Sequence, residues 1–222
     1  MLKTFTTSDE LLQVLNGLMK LPLLANFRLV GGTALSLIYG HRKSEDIDLF
    51  AYEEYGSIDF KKIETELIHH FPYVRNDDNI PGLGYFENNF GLHLHVGKNS
   101  EDSIKTDILN WSVADFINPV QIIDQIRLST PLDIALMKLD TISRGGRKKD
   151  FWDMSELLEH YRLPELLRMY GIKYPYHAIE DVITGMVNFD IAENMPDPVC
   201  LKGKYWEHIK EEMLSATKNI VM

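Results

Sequence analysis

The sequence predicts an α/β fold of the α+β kind, a mixed sheet flanked by helices and followed by a mostly helical second half. Three observations carry this. Residues 28 to 50 set two short apolar runs on either side of a glycine pair and a helix-like segment. Residues 83 to 111 change to an alternating, strand-like period. From Pro131 onward apolar residues recur at helical spacing almost throughout. The expected division is 1–128 for the α/β part and 129–222 for a helical region packed on it, because no repeat or low-complexity linker separates the halves.

In chain order, Thr7-Ser8-Asp9-Glu10 reads as a capping box, with Glu10 three residues after Thr7. Leu11, Leu15, Leu18 and Met19 then mark a helix running to about Lys20, before Pro22. Phe27 to Val30 is a first strand. Thr33 to Tyr39 is a short helix closed by Gly40, and Ile47 to Ala51 is a second strand. Phe60, Ile63, Leu67 and Phe71 lie on one face of a helix that ends before Pro72. Gly84 to Glu87, an Asn88-Asn89 turn and Leu92 to Val96 read as a hairpin. A turn at Lys98 to Asp102 leads into a strand from Ile104 to Leu109. Leu132, Ala135, Leu136 and Leu139 then form one helix face, and Trp152, Leu157 and Leu158 belong to the next helix. Further helices are expected near 164–170, 176–187 and 204–218.

The chemistry concentrates at residues 28 to 50. Asp46-Ile47-Asp48 opens the second apolar run. On a strand alternate side chains share a face, so Asp46 and Asp48 point one way while Ile47 enters the core. Two carboxylates crowded on one face repel and lose solvation, and a divalent cation offsets both costs. Hard oxygen ligands suit magnesium. The glycine pair Gly31-Gly32 lets the backbone turn tightly and approach a phosphate, and the N–H groups opening the next helix attract anions.

Gly31-Gly32, thirteen intervening residues, then Asp46-Ile47-Asp48 resembles the first motif of the nucleotidyltransferase superfamily. Gly-Gly-Thr-Ala-Leu with a downstream Arg-x-Ser-x-Asp-Ile-Asp-Leu is similar to its AbiEii/AbiGii toxin branch. The resemblance spans about residues 27 to 155. It implies a nucleotidyltransferase-like mixed sheet, an NTP substrate and a third carboxylate on a neighbouring strand. Thr106-Asp107-Ile108 matches that third position, although a flanking Val or Ile would fit more cleanly. Three carboxylates at Asp46, Asp48 and Asp107 can hold two magnesium ions ~4 Å apart, one activating the attacking hydroxyl and one steadying the triphosphate. A solvent-facing strand aspartate paired with Lys105 is the plain alternative for Asp107.

A second cluster runs from Pro131 to Asp153, with five cations between residues 138 and 149: Lys138, Arg144, Arg147, Lys148 and Lys149. Together they attract phosphate in an otherwise acidic chain, and Gly145-Gly146 supplies a turn between two helices. Ala-Leu-x-Lys-Leu-Asp followed by Arg-x-Lys-Asp-x-x-Asp is similar to the downstream motif of the AbiEii branch. The resemblance implies that Lys138 contacts the triphosphate, assisted by Asp150 or Asp153. A snorkelling lysine and a solvated helix–helix loop are the alternative. Thr33 offers its hydroxyl either to a phosphate or to the helix it opens. Arg42 and Ser44 are nucleotide contacts or ordinary loop residues. His93 and His95 share a strand face, which suggests a metal pair or a general base; with no third ligand in view, they read instead as ordinary histidines of that hairpin face. Trp111, Trp152 and Trp206 read as packing residues. His69-His70 reads as charge near a helix C-terminus.

The bulk numbers narrow the setting. The chain has 222 residues, 45% of them hydrophobic and 25% charged. No stretch approaches the ~20 apolar residues that span a membrane, and the first ten residues lack an apolar signal region. The single Cys200 excludes an internal disulfide and a cysteine-built zinc cage. A net charge of −10 argues against broad nucleic-acid binding. A cytoplasmic protein without a membrane partner is expected. The resemblance implies a toxin of a toxin–antitoxin or phage-defence system that transfers NMP from NTP to a tRNA or protein hydroxyl and pairs with a cognate antitoxin. A non-catalytic member that binds nucleotide or partner, and a kinase-like phosphotransferase on the same scaffold, are the competing readings.

Overall fold

The central sheet draws strands from segments far apart in sequence. The computed structural model describes residues 1–77, 79–80, 84–85, 90–218 and 220. In chain order the first part comprises α1 (Asp9–Lys20), β1 (Arg28–Leu29), α2 (Gly31–Tyr39), β2 (Ile47–Ala51), α3 (Phe60–His70), β3 (Tyr73–Asn76), β4 (Asn79–Ile80), β5 (Gly84–Tyr85), β6 (Gly91–Gly97), β7 (Ser103–Asn110), β8 (Gln121–Ile123) and β9 (Ile126–Leu128). The rest comprises α4 (Pro131–Ser143), α5 (Lys148–Leu158), α6 (Leu163–Lys173), α7 (Ile179–Val187), α8 (Asp190–Glu193) and α9 (Trp206–Thr217). Seven strands form one mixed sheet in the order β3-β6-β7-β2-β1-β9-β8, and β4 and β5 pair separately. The β2–β7 and β1–β9 pairs are parallel, and the other pairs in the large sheet are antiparallel.

Side-chain alternation gives the sheet two unlike faces. Ile47, Leu49 and Ala51 of β2, Ile108 of β7, and Leu92, Leu94 and Val96 of β6 are all buried. This apolar face packs against α1 and α3. Leu11, Leu15, Leu18 and Met19 of α1 and Phe60, Ile63 and Leu67 of α3 are buried in the same core. Each such side chain contributes about 1.5–3 kcal/mol through removal from water. The opposite face carries Asp48, Asp107 and His93, all only half-buried. The C-terminal helices pack around α4, which contacts α2, α5, α6 and α7, and α9 closes over α5 and α7.

Several sequence expectations shift at their edges. α1 is capped by Ser8, whose Oγ accepts the Leu11 N–H at 3.1 Å. Thr7 instead donates to the Thr4 carbonyl, so the expected Thr7–Glu10 capping box is replaced by a cap one residue later. α2 begins at Gly31 rather than Thr33, which makes the glycine pair its first turn. Gly40 ends it at φ +72, a left-handed cap that glycine adopts without steric cost. Of the expected hairpin between 84–87 and 92–96, residues 84–85 pair with β4 as β5, β6 joins β3 and β7, and residues 86–87 lie outside the described residues. The expected Asn88-Asn89 turn lies outside the described residues. β8 and β9 have no counterpart in the sequence reading. Their two-residue turn uses Asp124 and Gln125, both at positive φ, a conformation not signalled by an Asn-Gly or Asp-Gly pair.

Candidate active site

Register assembles the acidic centre. Asp48 stands directly opposite Asp107 in the parallel β2–β7 pair, and Asp107 stands opposite His93 in the antiparallel β6–β7 pair. Three adjacent strands therefore present Asp48, Asp107 and His93 in one row on the open face. Asp46 lies one residue before β2 and is half-buried. Burial, reinforced by the neighbouring Asp107 charge, pushes the Asp48 carboxyl up to about 6. Burial also favours the neutral form of Asp46, but a hydrogen bond and charge from Lys149 outweigh it and hold this carboxyl below its ordinary value. Lys149 Nζ lies 2.9 Å from Asp46 Oδ2. Asp107 bonds His93 Nδ1 at 2.9 Å and Lys105 Nζ at 3.2 Å.

The glycine pair is required for two different reasons. Gly31 sits at φ +68, and a Cβ there would run into the Asp48 carboxylate. A Cβ on Gly32 would strike the Arg42 guanidinium and come within 3.3 Å of Asp153 Oδ2. The first keeps the N-terminus of α2 against Asp48, and the second leaves room beneath it for a buried ion pair. No side chain caps this N-terminus, so its backbone N–H groups and dipole suit an anion. Thr33, expected to contact a phosphate or cap α2, does not occupy the cap position, which falls at Val30, and turns inward. It is 1% exposed, and its hydroxyl donates to the Asp46 carbonyl and meets Ser44 Oγ at 2.8 Å. Thr33 and Ser44 thus bind the first turn of α2 to the chain entering β2, which fixes where Asp46 and Asp48 emerge.

Behind α2 lies a buried charge network centred on Asp153. Its carboxylate receives His41 Nε2 at 2.8 Å, Arg42 Nε at 2.7 Å and Lys138 Nζ at 2.7 Å. Arg42 Nη2 also bonds Asp153 Oδ2 at 2.9 Å, making the guanidinium–carboxylate contact bidentate. Burial alone favours neutral Asp153, but the Arg42 and Lys138 charges hold it well below the usual carboxylate range. Lys138 bonds Asp150 Oδ1 at 2.6 Å. Asp150 Oδ2 accepts the Arg147 backbone N–H at 2.9 Å, closing the N-terminus of α5. Lys138, expected at the triphosphate, is instead enclosed between two carboxylates with its side chain 10% exposed. It lies on α4 among the core residues Ala135, Leu136 and Leu139, and the two carboxylates make that inward position tolerable for its charge. Arg42, expected as a nucleotide contact, is likewise committed to Asp153.

An open cleft of about 460 Å³ adjoins this centre, lined by Arg42–Asp46, Arg147–Lys149 and Met195–Val199. The third wall comes from the far end of the sequence. Lys43 N–H bonds the Val199 carbonyl at 2.8 Å, and Leu201 N–H bonds the His41 carbonyl at 2.8 Å. Lys148 closes the same corner through Asp197 at 2.9 Å. The expected basic cluster is thus divided: Lys138 is buried, Arg144 pairs with Asp140, and Arg147 and Lys149 face the cleft.

His95 turns to Asp77 at 3.3 Å while His93 turns to Asp107, so the two histidines serve different carboxylates. His93 is the functional candidate that sequence pattern passed over, since only the β6–β7 register places it beside an acidic partner. Trp152 and Trp206 stack in the helical core at 5.7 Å. Trp111 stacks on Phe50 at 5.3 Å. Among the described residues, the metal-ligating groups gathered within 4.8 Å of one another are Glu156, Glu159 and His160, where Lys202 and Lys204 already neutralise the carboxylates. Asp46 and Asp107 are turned toward lysines and His93 rather than toward a common point.

The model of the nucleotidyl transferase AbiEii toxin family, of type IV toxin–antitoxin systems, matches residues 13–219. The chain belongs to this family. An uncharacterised protein of Aquifex aeolicus (strain VF5) is 27% identical over 203 residues, covering 90% of each chain. The crystal structure of JHP933 from Helicobacter pylori superposes with a TM-score of 0.55 at 19% identity, covering 96% of this chain and 92% of that one. The nucleotidyltransferase toxin MenT4 of Mycobacterium tuberculosis H37Rv gives 0.53 at 13% identity, covering 95% and 84%. These likenesses establish a nucleotidyltransferase-like fold over nearly the whole chain. Membership of the AbiEii family makes the protein a toxin-type nucleotidyltransferase and implies a cognate antitoxin. No helix among the described residues is long and apolar enough to cross a membrane.

Proposed function

We propose that this AbiEii-family protein transfers a nucleoside monophosphate from an NTP to an acceptor hydroxyl, on a tRNA or a protein, releasing pyrophosphate. It acts in the cytoplasm as the toxin of a toxin–antitoxin or phage-defence pair. The observation that carries this reading is the in-register Asp48–Asp107 pair set against the uncapped, positive-φ N-terminus of α2.

The chemistry of the three carboxylates suits magnesium, although their side chains are turned toward Lys149, Lys105 and His93 rather than toward a common point. Asp48 is a carboxylate short of positive charge, and Asp46 and Asp107 already attract the ammonium groups of Lys149 and Lys105. Asp46 and Asp48 would ligate two ions and Asp107 would complete the set; bound there, magnesium supplies charge neutralisation for the triphosphate and lowers the cost of ionising the acceptor hydroxyl. The chain's own residues position the reactants. The backbone of Gly31 and Gly32 receives phosphate oxygens at the helix N-terminus. Asp107, steadied by His93, orients the attacking oxygen. The Asp153–Arg42–Lys138–Asp150 network acts from behind, holding α2, α4 and α5 in fixed relation so that the acidic row and the helix N-terminus face one another. Reactions of this kind depend chiefly on positioning and charge stabilisation.

The test is label transfer. Purified protein is incubated with magnesium and each α-labelled NTP, with total RNA and cell protein in parallel, beside an Asp46→Asn/Asp48→Asn control. Label on RNA or protein from wild type alone supports the proposal and names the acceptor class. Nucleotide binding without transfer from any NTP moves the assignment to the non-catalytic reading, and transfer from γ-labelled but not α-labelled ATP moves it to a phosphotransferase.

A further inference from the structure

The geometry points to Lys149 as an exchangeable counter-ion: it neutralises Asp46 until a divalent cation takes its place, and is then released to the triphosphate. This rests on the magnesium reading of the aspartates given above.

Three observations converge on Lys149. Its ammonium lies 2.9 Å from Asp46 Oδ2, on a carboxylate that the magnesium reading assigns to the metal ions. An ammonium and a divalent cation on one carboxylate repel each other strongly, so binding of one displaces the other. The pair is not locked in place, since the Lys149 and Asp46 side chains are 33% and 34% exposed. Lys149 is also the second residue of α5 and lines the open cleft with Arg147, Ser44 and Asp46. Its four-carbon stem carries three rotatable donors and can swing to a phosphate without moving the backbone.

The neighbouring cations are placed differently. Lys138 is held by Asp150 and Asp153 at 2.6 and 2.7 Å, Arg42 by Asp153, and Lys148 by Asp197. None of these carboxylates belongs to the acidic row; Lys105, which does pair with a member of it, Asp107, at 3.2 Å, is not among the residues lining the cleft. Displacing Lys149 by a metal ion therefore leaves its charge beside the place where phosphates would be neutralised. One lysine thereby couples metal entry to phosphate capture.

The experiment measures two affinities whose changes have opposite signs. Mn²⁺ binding to the nucleotide-free protein is followed by electron paramagnetic resonance. Binding of the α,β-methylene analogues of ATP, GTP, CTP and UTP is then followed by calorimetry at saturating Mn²⁺. Wild type, Lys149→Met, Lys149→Arg and Asp48→Asn are compared. Lys149→Met is expected to bind Mn²⁺ roughly two- to fivefold more tightly, the range set by a partly exposed ion pair, and to bind the preferred analogue at least severalfold more weakly. Lys149→Arg should keep both affinities near wild type. A lysine with a merely structural role would weaken both in the Met variant, and that result, or unchanged Mn²⁺ affinity, overturns the inference while leaving the metal reading intact. If wild type shows no Mn²⁺ site that Asp48→Asn removes, the metal reading fails and the exchange fails with it.

Discussion

Asp48→Asn is expected to disable the protein and, in the absence of metal, to make it more stable. Asp48 titrates near 6 in the folded chain instead of 3.8 because burial and the Asp107 charge oppose its ionisation. A carboxyl with a raised folded-state value binds more protons folded than unfolded. Its contribution is therefore most favourable below the unfolded value and is lost as pH rises through the folded one. The rise from 3.8 to about 6 corresponds to about 3 kcal/mol, fully developed above pH 6. Asparagine keeps the shape and removes the titration, so the variant avoids that cost. For a chain of this size about 3 kcal/mol is worth roughly 6–12 °C in Tm. Urea titrations with EDTA at pH 7.5 and pH 4.5 read the effect directly. The gap between variant and wild type should be near 3 kcal/mol at pH 7.5 and shrink to about 1 kcal/mol at pH 4.5. Magnesium should narrow it at pH 7.5 by stabilising wild type alone. A variant less stable than wild type at pH 7.5, or a gap independent of pH, would refute the account of Asp48.

Further outcomes follow from the glycine positions and from the buried charge network. Gly31→Ala forces a left-handed residue and a clash with Asp48, so it should lose about 1–2 kcal/mol in urea unfolding together with nucleotide binding. Gly171→Ala, within α6, is the contrasting case, for among the described residues its added methyl meets Ile179 of α7 at an ordinary 3.6 Å and should raise stability by about 0.5–1 kcal/mol. Asp153→Asn leaves Arg42 and Lys138 buried without their shared partner. It should lose roughly 3–5 kcal/mol, whereas Asp197→Asn, whose side chain is 53% exposed opposite Lys148, should lose less than about 1 kcal/mol. Equal shifts in their thermal melts would show that the Asp153 network is not the support described. Because Asp153 is held well below the usual carboxylate range, its contribution is present above the unfolded value and is lost as pH falls, so the two proteins should converge in strong acid.

Local features were legible in the amino-acid order. Alternation put Ile47 in the core and Asp48 on the other face, and periodicity placed α1, α3 and most of the C-terminal helices, because both patterns repeat within a few residues. The glycine pair and Asp46-Ile47-Asp48 were legible for the same reason. Pairing over long sequence separations became visible in the folded chain. The β2–β7 register sets Asp107 beside Asp48, and the β6–β7 register gives Asp107 its partner His93. Residues 195–199 reach the cleft through bonds between 41–43 and 199–201 that no local pattern encodes. The burial of Lys138 could not be read from its apolar neighbours, which suit a snorkelling lysine equally well. Asp150 and Asp153, twelve and fifteen residues later in the sequence, make an inward position tolerable for its charge. Local pattern fixes which face a side chain takes, whereas a charge settles where folding brings its counter-charge, and that depends on the whole chain.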